Sequence, residues 1–186
     1  MNFENLDSFS PIPKIVQIEK YEDERGIYIP FIQFGALTSL SLPIPEIRQV
    51  NVIKSKKQAL RGFHGSDQRY GHWKIVTCIF GRVQDAVLDI RPKSKTFGEA
   101  MKVEISESDS VSLIIPAGFA HAVEGLSDES TIIYASNLQY EITKKIEFEI
   151  DVLDNQWRKF WSNNPILSER DKKAISFNDF RKRMKK

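Results

Sequence analysis

Apolar and polar positions alternate along this chain in short runs, and turn residues separate the runs. Residues 12–19 read as a strand, closed by the charged turn Tyr21-Glu22-Asp23-Glu24-Arg25-Gly26. Residues 27–34 read as the next strand. Pro30 marks it as an edge or a bulge, because proline cannot donate to a ladder. Pro43 and Pro45 break the following connection. Residues 48–53 predict a strand, and Lys54-Ser55-Lys56-Lys57-Gln58 a polar turn. Residues 73–80 form a strong strand pattern ended by Gly81, and residues 83–90 pair with it as a hairpin around Gly81-Arg82. Met101-Lys102-Val103-Glu104-Ile105 alternates strictly, as a half-buried strand does. Residues 111–115 end at Pro116-Ala117-Gly118, and residues 122–126 and 131–135 complete the series. Short strands at this spacing predict an antiparallel sandwich or barrel.

After Ile150 the texture changes. Residues 156–161 are aromatic and charged, and Ser168-Glu169-Arg170-Asp171 has the form of a helix start, with Ser168 as cap. The expectation is a β core over about 12–155 and a helical segment over about 156–186. A chain of 186 residues can bury one full core, so a single domain over 1–186 is the simplest division.

Composition narrows the function. A net charge of +2 argues against a nucleic-acid partner, which a basic total usually accompanies. The basic run Arg181-Lys182-Arg183-Met184-Lys185-Lys186 reads as a solvated tail. One cysteine, Cys78, permits no internal disulfide and suits a reducing compartment; in Ile75-Val76-Thr77-Cys78-Ile79-Phe80 it reads as a buried thiol. The first residues show no leader pattern, and no apolar run is long enough to span a bilayer, so a cytoplasmic protein without membrane contact is expected.

The chemistry concentrates in Arg61-Gly62-Phe63-His64 and Lys74. These residues lie between two strand-like runs. A histidine titrates near neutrality, at about 6.5 when unperturbed, and can take a proton from carbon and return it. A nearby lysine can stabilise the negative charge that results, and an arginine grips phosphate or carboxylate. The three histidines, His64, His72 and His121, also suit a metal site in an all-β barrel. Pro116-Ala117-Gly118-Phe119-Ala120-His121 matches one half of the metal-cupin signature, but His64-Gly65-Ser66 does not supply the other half. A metal cupin is thus a minor alternative, and no Gly-rich dinucleotide fingerprint is present. Tyr140 and Asp171 have plain readings in isolation, as a packing tyrosine and a capping carboxylate.

Taken in order, these residues form a pattern. Asp23-Glu24-Arg25-Gly26, Gln49-Val50-Asn51, Leu60-Arg61-Gly62-Phe63-His64, Lys74-Ile75-Val76 and Gly81-Arg82-Val83-Gln84-Asp85 come first. Asp89-Ile90-Arg91 with Thr96-Phe97-Gly98, Ile115 to His121, and Leu167-Ser168-Glu169-Arg170-Asp171 follow. Over residues 12–180 the chain resembles the nucleotide-sugar 3,5-epimerases that act on 4-keto-6-deoxy sugars, typified by dTDP-4-dehydrorhamnose 3,5-epimerase. The resemblance implies a mostly β, cupin-like jelly roll with short C-terminal helices, free of metal, needing no cofactor and working as a homodimer. It implies His64 as base, Asp171 as the aspartate that orients it, Tyr140 as the acid on the far face of the sugar, and Lys74 beside the 4-keto oxygen. It also implies Arg25 and Arg61 at the diphosphate, Tyr28 stacked on the base, Gln49 and Asn51 lining the cleft, and His121 in the pocket.

The chain departs from the family pattern at two places. Gly65-Ser66 stands where Tyr-Gln is common after the histidine, and Pro30 stands where a glutamate contacts the nucleotide base. A dTDP-linked hexose is the expected substrate, with a GDP- or CDP-linked sugar or a heptose as alternatives. A 3,4-ketoisomerase on the same fold and a non-catalytic sugar-nucleotide-binding module are the competing functions.

Overall fold

The computed structural model describes residues 12–32 and 45–184. Two five-stranded antiparallel sheets face one another as a jelly roll and form its frame. The strands are β1 (Lys14–Gln17), β2 (Tyr21–Asp23), β3 (Gly26–Tyr28), β4 (Gln49–Lys56), β5 (Leu60–Ser66), β6 (Lys74–Phe80) and β7 (Arg82–Asp89). They continue as β8 (Ala100–Ser106), β9 (Val111–Ile115), β10 (Phe119–Gly125), β11 (Glu129–Ser136) and β12 (Glu147–Ile150). The first sheet runs β1-β9-β6-β11-β4, the second β12-β5-β10-β7-β8, and β2 and β3 form a separate hairpin. Helix α1 (Tyr140–Ile146) joins β11 to β12, and α2 (Phe177–Met184) follows a short turn at Asp171–Lys173.

Three expectations change. Residues 60–66 are a strand and not a loop, so His64 sits in the middle of a sheet. Two glycines weaken the strand signal there. Gly65 has a packing reason: a Cβ at that position would lie 2.6 Å from the Ala120 backbone, so only glycine lets β5 approach β10 this closely. Next, β6 and β7 are not a hairpin pair. β6 bonds to β9 and β11, while β7 bonds to β10 and β8. Gly81, at φ +70°, turns the chain out of one sheet and into the other. Finally, β4 continues through Lys54-Ser55-Lys56, because alternation sends both lysines to solvent and leaves Ser55 half-buried. Phe34 and Pro43 lie outside the described residues.

Side-chain alternation sorts these strands into layers. Val76, Val87, Leu113, Ile115, Val123 and Ile132 fill the space between the sheets. Phe63, Ala122 and Ile150 point the other way, into a second core shared with Trp157, Trp161, Phe177 and Phe180. The aromatic C-terminal segment thus covers the outer face of the second sheet. Phe63 meets Trp157 edge-on at 5.1 Å and has no exposed surface; Phe63→Ala would cost about 3–5 kcal/mol. That packing holds the strand on which His64 stands. Ser168 acts locally as expected: its hydroxyl accepts the Asp171 amide at 3.1 Å, though the helix it starts is one short turn. Cys78 is buried, and burial pushes its thiol up to about 11.

Candidate active site

At one end of the space between the sheets, the inward positions become polar and open a cavity of about 260 Å³. The first sheet contributes Gln49 and Asn51 from β4, Lys74 from β6, and Ile132, Tyr134 and Ser136 from β11. The second contributes Arg61 and His64 from β5 and His121 and Val123 from β10. Tyr140, Thr143 and Glu147 line it from the α1–β12 segment, and Ser168, Arg170 and Asp171 from the C-terminal segment.

His64 Nε2 lies 2.7 Å from Asp171 Oδ1. The other carboxylate oxygen accepts the Ser168 hydroxyl at 2.7 Å. Burial pushes Asp171 up, but the hydrogen bonds from His64, Ser168 and the Gly62 amide outweigh it and hold the carboxyl below its ordinary range. An ionised Asp171 accepts the Nε2 proton, which leaves the lone pair of His64 on Nδ1. The contact thereby fixes the orientation of the His64 ring and, when the ring is neutral, its tautomer.

Lys74 points inward, where a lone ammonium would be costly. Its Nζ donates to the His64 carbonyl at 3.2 Å and to Glu147 Oε1 at 3.2 Å. Burial pushes Glu147 up, but Lys74 first, then His64 and His72, more than offset this and hold the carboxyl at about 2. Glu147 Oε2 lies 3.6 Å from the Arg170 guanidinium. The ammonium is therefore anchored and faces a cavity in which developing negative charge would find it.

The amides form a relay. Gln49 Oε1 accepts the Tyr140 amide at 2.7 Å, and Gln49 Nε2 donates to Asn51 Oδ1 at 2.7 Å. This leaves Asn51 Nδ2 buried with no partner among the described residues, a donor available to a ligand. His121 Nδ1 lies 3.2 Å from Asp85 Oδ2. Asp85 has no exposed surface, and burial raises its carboxyl well above the ordinary range against the pull of Lys74.

Eight of the ten residues expected at a site thus line one cavity: His64, Lys74, Asp171, Tyr140, Arg61, Gln49, Asn51 and His121. Arg25 and Tyr28 do not. They sit on the β2–β3 hairpin, where Arg25 pairs with Asp23 and the Tyr28 side chain is exposed. Sequence reasoning missed Tyr134, Glu147, Arg170 and the role of Ser168. Tyr134 had a signal, since strand alternation through Ile132 and Ser136 puts it on the cavity face. Among the described residues, no group of three His, Cys, Asp or Glu side chains is arranged to hold a metal ion.

Comparison with known proteins bears on this geometry. Residues 11–179 match the family model described as dTDP-4-dehydrorhamnose 3,5-epimerase. The chain belongs to the dTDP-4-dehydrorhamnose 3,5-epimerase family. An enzyme of that name from Shigella flexneri is 34% identical over 171 residues, which span 90% of this chain and 93% of the relative. A Legionella pneumophila 3,5-epimerase solved with dTDP-4-keto-L-rhamnose superposes with a TM-score of 0.82 at 30% identity, covering 94% of this chain and 93% of that one. A 3'-monoepimerase from Streptomyces bikiniensis, solved with dTDP, superposes with a TM-score of 0.84 at 25% identity, covering 93% and 86%. That structure is of a double variant, with a histidine and a tyrosine replaced at positions seventy apart. Members of this family are isomerases.

Proposed function

We propose that His64 and a cavity tyrosine are the proton-transfer pair of an epimerase acting on a dTDP-linked 4-keto-6-deoxy sugar. A 4-keto group acidifies the hydrogens on its neighbours, C3 and C5, because the carbanion delocalises onto oxygen as an enolate. His64 Nδ1 takes the proton, and the Lys74 ammonium stabilises the oxyanion. Inversion then needs a donor on the opposite face of the ring. The observation that carries this reading is that His64 comes from one sheet, and Lys74 and Tyr134 from the other, around one cavity.

Two tyrosines can donate. Tyr140, expected from sequence, stands at the start of α1 and is 52% exposed. Tyr134 is deeper in the cavity, and burial first, then Glu147 and Tyr140, keeps its hydroxyl protonated well past neutrality. His64 and Tyr134 are seventy positions apart, as are the two residues replaced in the Streptomyces variant. This favours Tyr134 as the acid and leaves Tyr140 to position the sugar. Tyr134→Phe is expected to lower product formation about 10²–10³-fold while proton abstraction persists. Tyr140→Phe is expected to cost no more than about tenfold. The reverse order, measured by NMR of product, would return the acid role to Tyr140.

Arg61 and Arg170 both line the cavity and suit a diphosphate. The ligands of the two related structures favour dTDP over GDP or CDP. A homodimer is supported by the exposed Tyr21, Ile27 and Tyr28 on the hairpin and Val50 and Val52 on the outer face of β4. A second copy would cover these residues, and Arg25 with Tyr28 would act across that contact. The core shared by the second sheet and the C-terminal segment supports one domain. Among the described residues no helix is long and apolar enough to cross a membrane. Incubation with dTDP-4-keto-6-deoxyglucose in deuterated water is expected to place deuterium at C3, C5 or both. Absence of exchange across dTDP-, GDP- and CDP-linked 4-keto sugars overturns the reading.

A further inference from the structure

The proton-transfer scheme uses His64 and leaves His72 idle, although His72 lines the same cavity and is only 6% exposed. Its placement is strongly determined. Asn137 clamps the backbone on either side of it, accepting the Trp73 amide at 2.7 Å and donating to the Gly71 carbonyl at 2.8 Å. The ring is fixed as well. His72 Nε2 lies 3.1 Å from Ser136 Oγ. The Ser136 hydroxyl already donates its one hydrogen to the Leu138 carbonyl at 2.9 Å. Ser136 can therefore only accept from the ring, so Nε2 carries the hydrogen and Nδ1 carries a lone pair.

That lone pair faces a second acceptor. Nδ1 is 4.0 Å from Glu147 Oε1, too far for a hydrogen bond, and Glu147 Oε1 is the oxygen that holds Lys74 Nζ. Burial, followed by the nearby Lys74 charge, keeps the imidazole neutral, with its pKa at about 3. An acceptor is thus held beside a donor: the imidazole lone pair next to the ammonium of Lys74. The complementary ligand has a hydroxyl next to a carbonyl. On a 4-keto sugar, the carbonyl oxygen goes to Lys74 and the adjacent C3 hydroxyl supplies the missing hydrogen.

We propose that His72 is a specificity-determining residue that accepts a hydrogen bond from the sugar hydroxyl adjacent to the keto group, in a tautomer set by Ser136. This assignment rests on the epimerase reading. It makes the enzyme selective for 3-hydroxy-4-keto sugars over 3-deoxy ones.

The test compares dTDP-4-keto-6-deoxyglucose with its 3-deoxy counterpart, reading deuterium uptake at C5, which both compounds retain. Wild type is expected to favour the hydroxylated compound about tenfold in kcat/KM, the value of one hydrogen bond. His72→Ala is expected to lose that preference while its rate on the 3-deoxy compound stays within about twofold. An active wild type without the preference, or a preference that survives in His72→Ala, overturns the assignment alone. A wild type inert towards both compounds overturns the epimerase reading and this assignment with it. Nitrogen-15 NMR of histidine-labelled wild type needs no substitution. It is expected to show one buried imidazole protonated at Nε2 whose Nδ1 signal moves when the hydroxylated compound binds and stays when the 3-deoxy compound binds. Protonation at Nδ1 instead, or no difference between the two compounds, overturns it.

Discussion

The cavity holds two imidazole–carboxylate pairs built from the same residue types, and they are in opposite states. Asp171 and Asp85 are both buried, at 5% and 0% exposure, each against a histidine. Asp171 receives hydrogen bonds from His64, Ser168 and the Gly62 amide, and its carboxyl is lowered. Asp85 Oδ1 has no hydrogen-bond partner among the described residues, and its carboxyl is raised. His121 is pushed well below its ordinary value by burial, then by the charges of Lys74 and His64. The number of donors around the carboxylate, and not burial alone, decides which pair is charged. The first pair holds an ionised aspartate that fixes the Nε2 hydrogen of His64, as the base role proposed for it requires. The second is neutral on both sides and works as a fixed hydrogen-bonding group.

The largest expected effect separates the two histidines. His64→Asn removes the proposed base and is expected to lower kcat for C–H exchange about 10³-fold, with little change in melting temperature. His121→Asn removes a hydrogen-bonding group and is expected to cost about tenfold. Single-turnover deuterium exchange measures both. Equal losses would erase the distinction between the pairs.

Asp171→Asn comes next, at about a hundredfold in kcat, because the amide no longer fixes the Nε2 hydrogen of His64. It also carries a pH signature. The folded carboxyl titrates below its unfolded value of about 3.9, so Asp171 stabilises the fold above about pH 4. That stability is lost as pH falls through the folded value. Thermal melts of Asp171→Asn are therefore expected to lie lower at pH 7 and to fall less steeply in acid than wild type.

Much of this was legible in the sequence, for identifiable reasons. Val111–Ile115 was read at its true bounds because proline and glycine end it sharply. The β5 strand was not legible, because Gly62 and Gly65 look like loop residues until the approach of Ala120 is known. The β6–β7 connection looked like a hairpin because a glycine turn between strands reads the same within one sheet or between two. His64 and Lys74 stood out by their chemistry, whereas Asp171, a capping carboxylate in isolation, joined them only through the family pattern. Glu147 left no mark, since its importance comes only from meeting Lys74, 73 residues away in the chain. Tyr134 went unmarked because an inward tyrosine on a strand resembles ordinary packing.

The smallest effect tests the neutral pair, and its sign runs opposite to that of Asp171. Asp85 keeps its proton in the fold to higher pH than in the unfolded chain, where it ionises at about 3.9. Above that pH the unfolded state binds fewer protons than the fold, so this group makes stability fall as pH rises, until the folded carboxyl itself titrates. His121 acts separately: below about pH 6.5 the unfolded imidazole takes a proton that the fold refuses. A comparison of Asp85→Asn with wild type cancels the His121 contribution to first order. The amide cannot ionise, keeps a hydrogen to share with His121 Nδ1, and removes the loss above pH 4. Asp85→Asn is therefore expected to melt at or above the wild-type temperature at pH 7, with the gap closing towards pH 4 and activity within about threefold. A variant that instead melts several degrees lower at pH 7 would mean that Asp85 is ionised against a charged His121. The two pairs would then differ in exposure but not in kind.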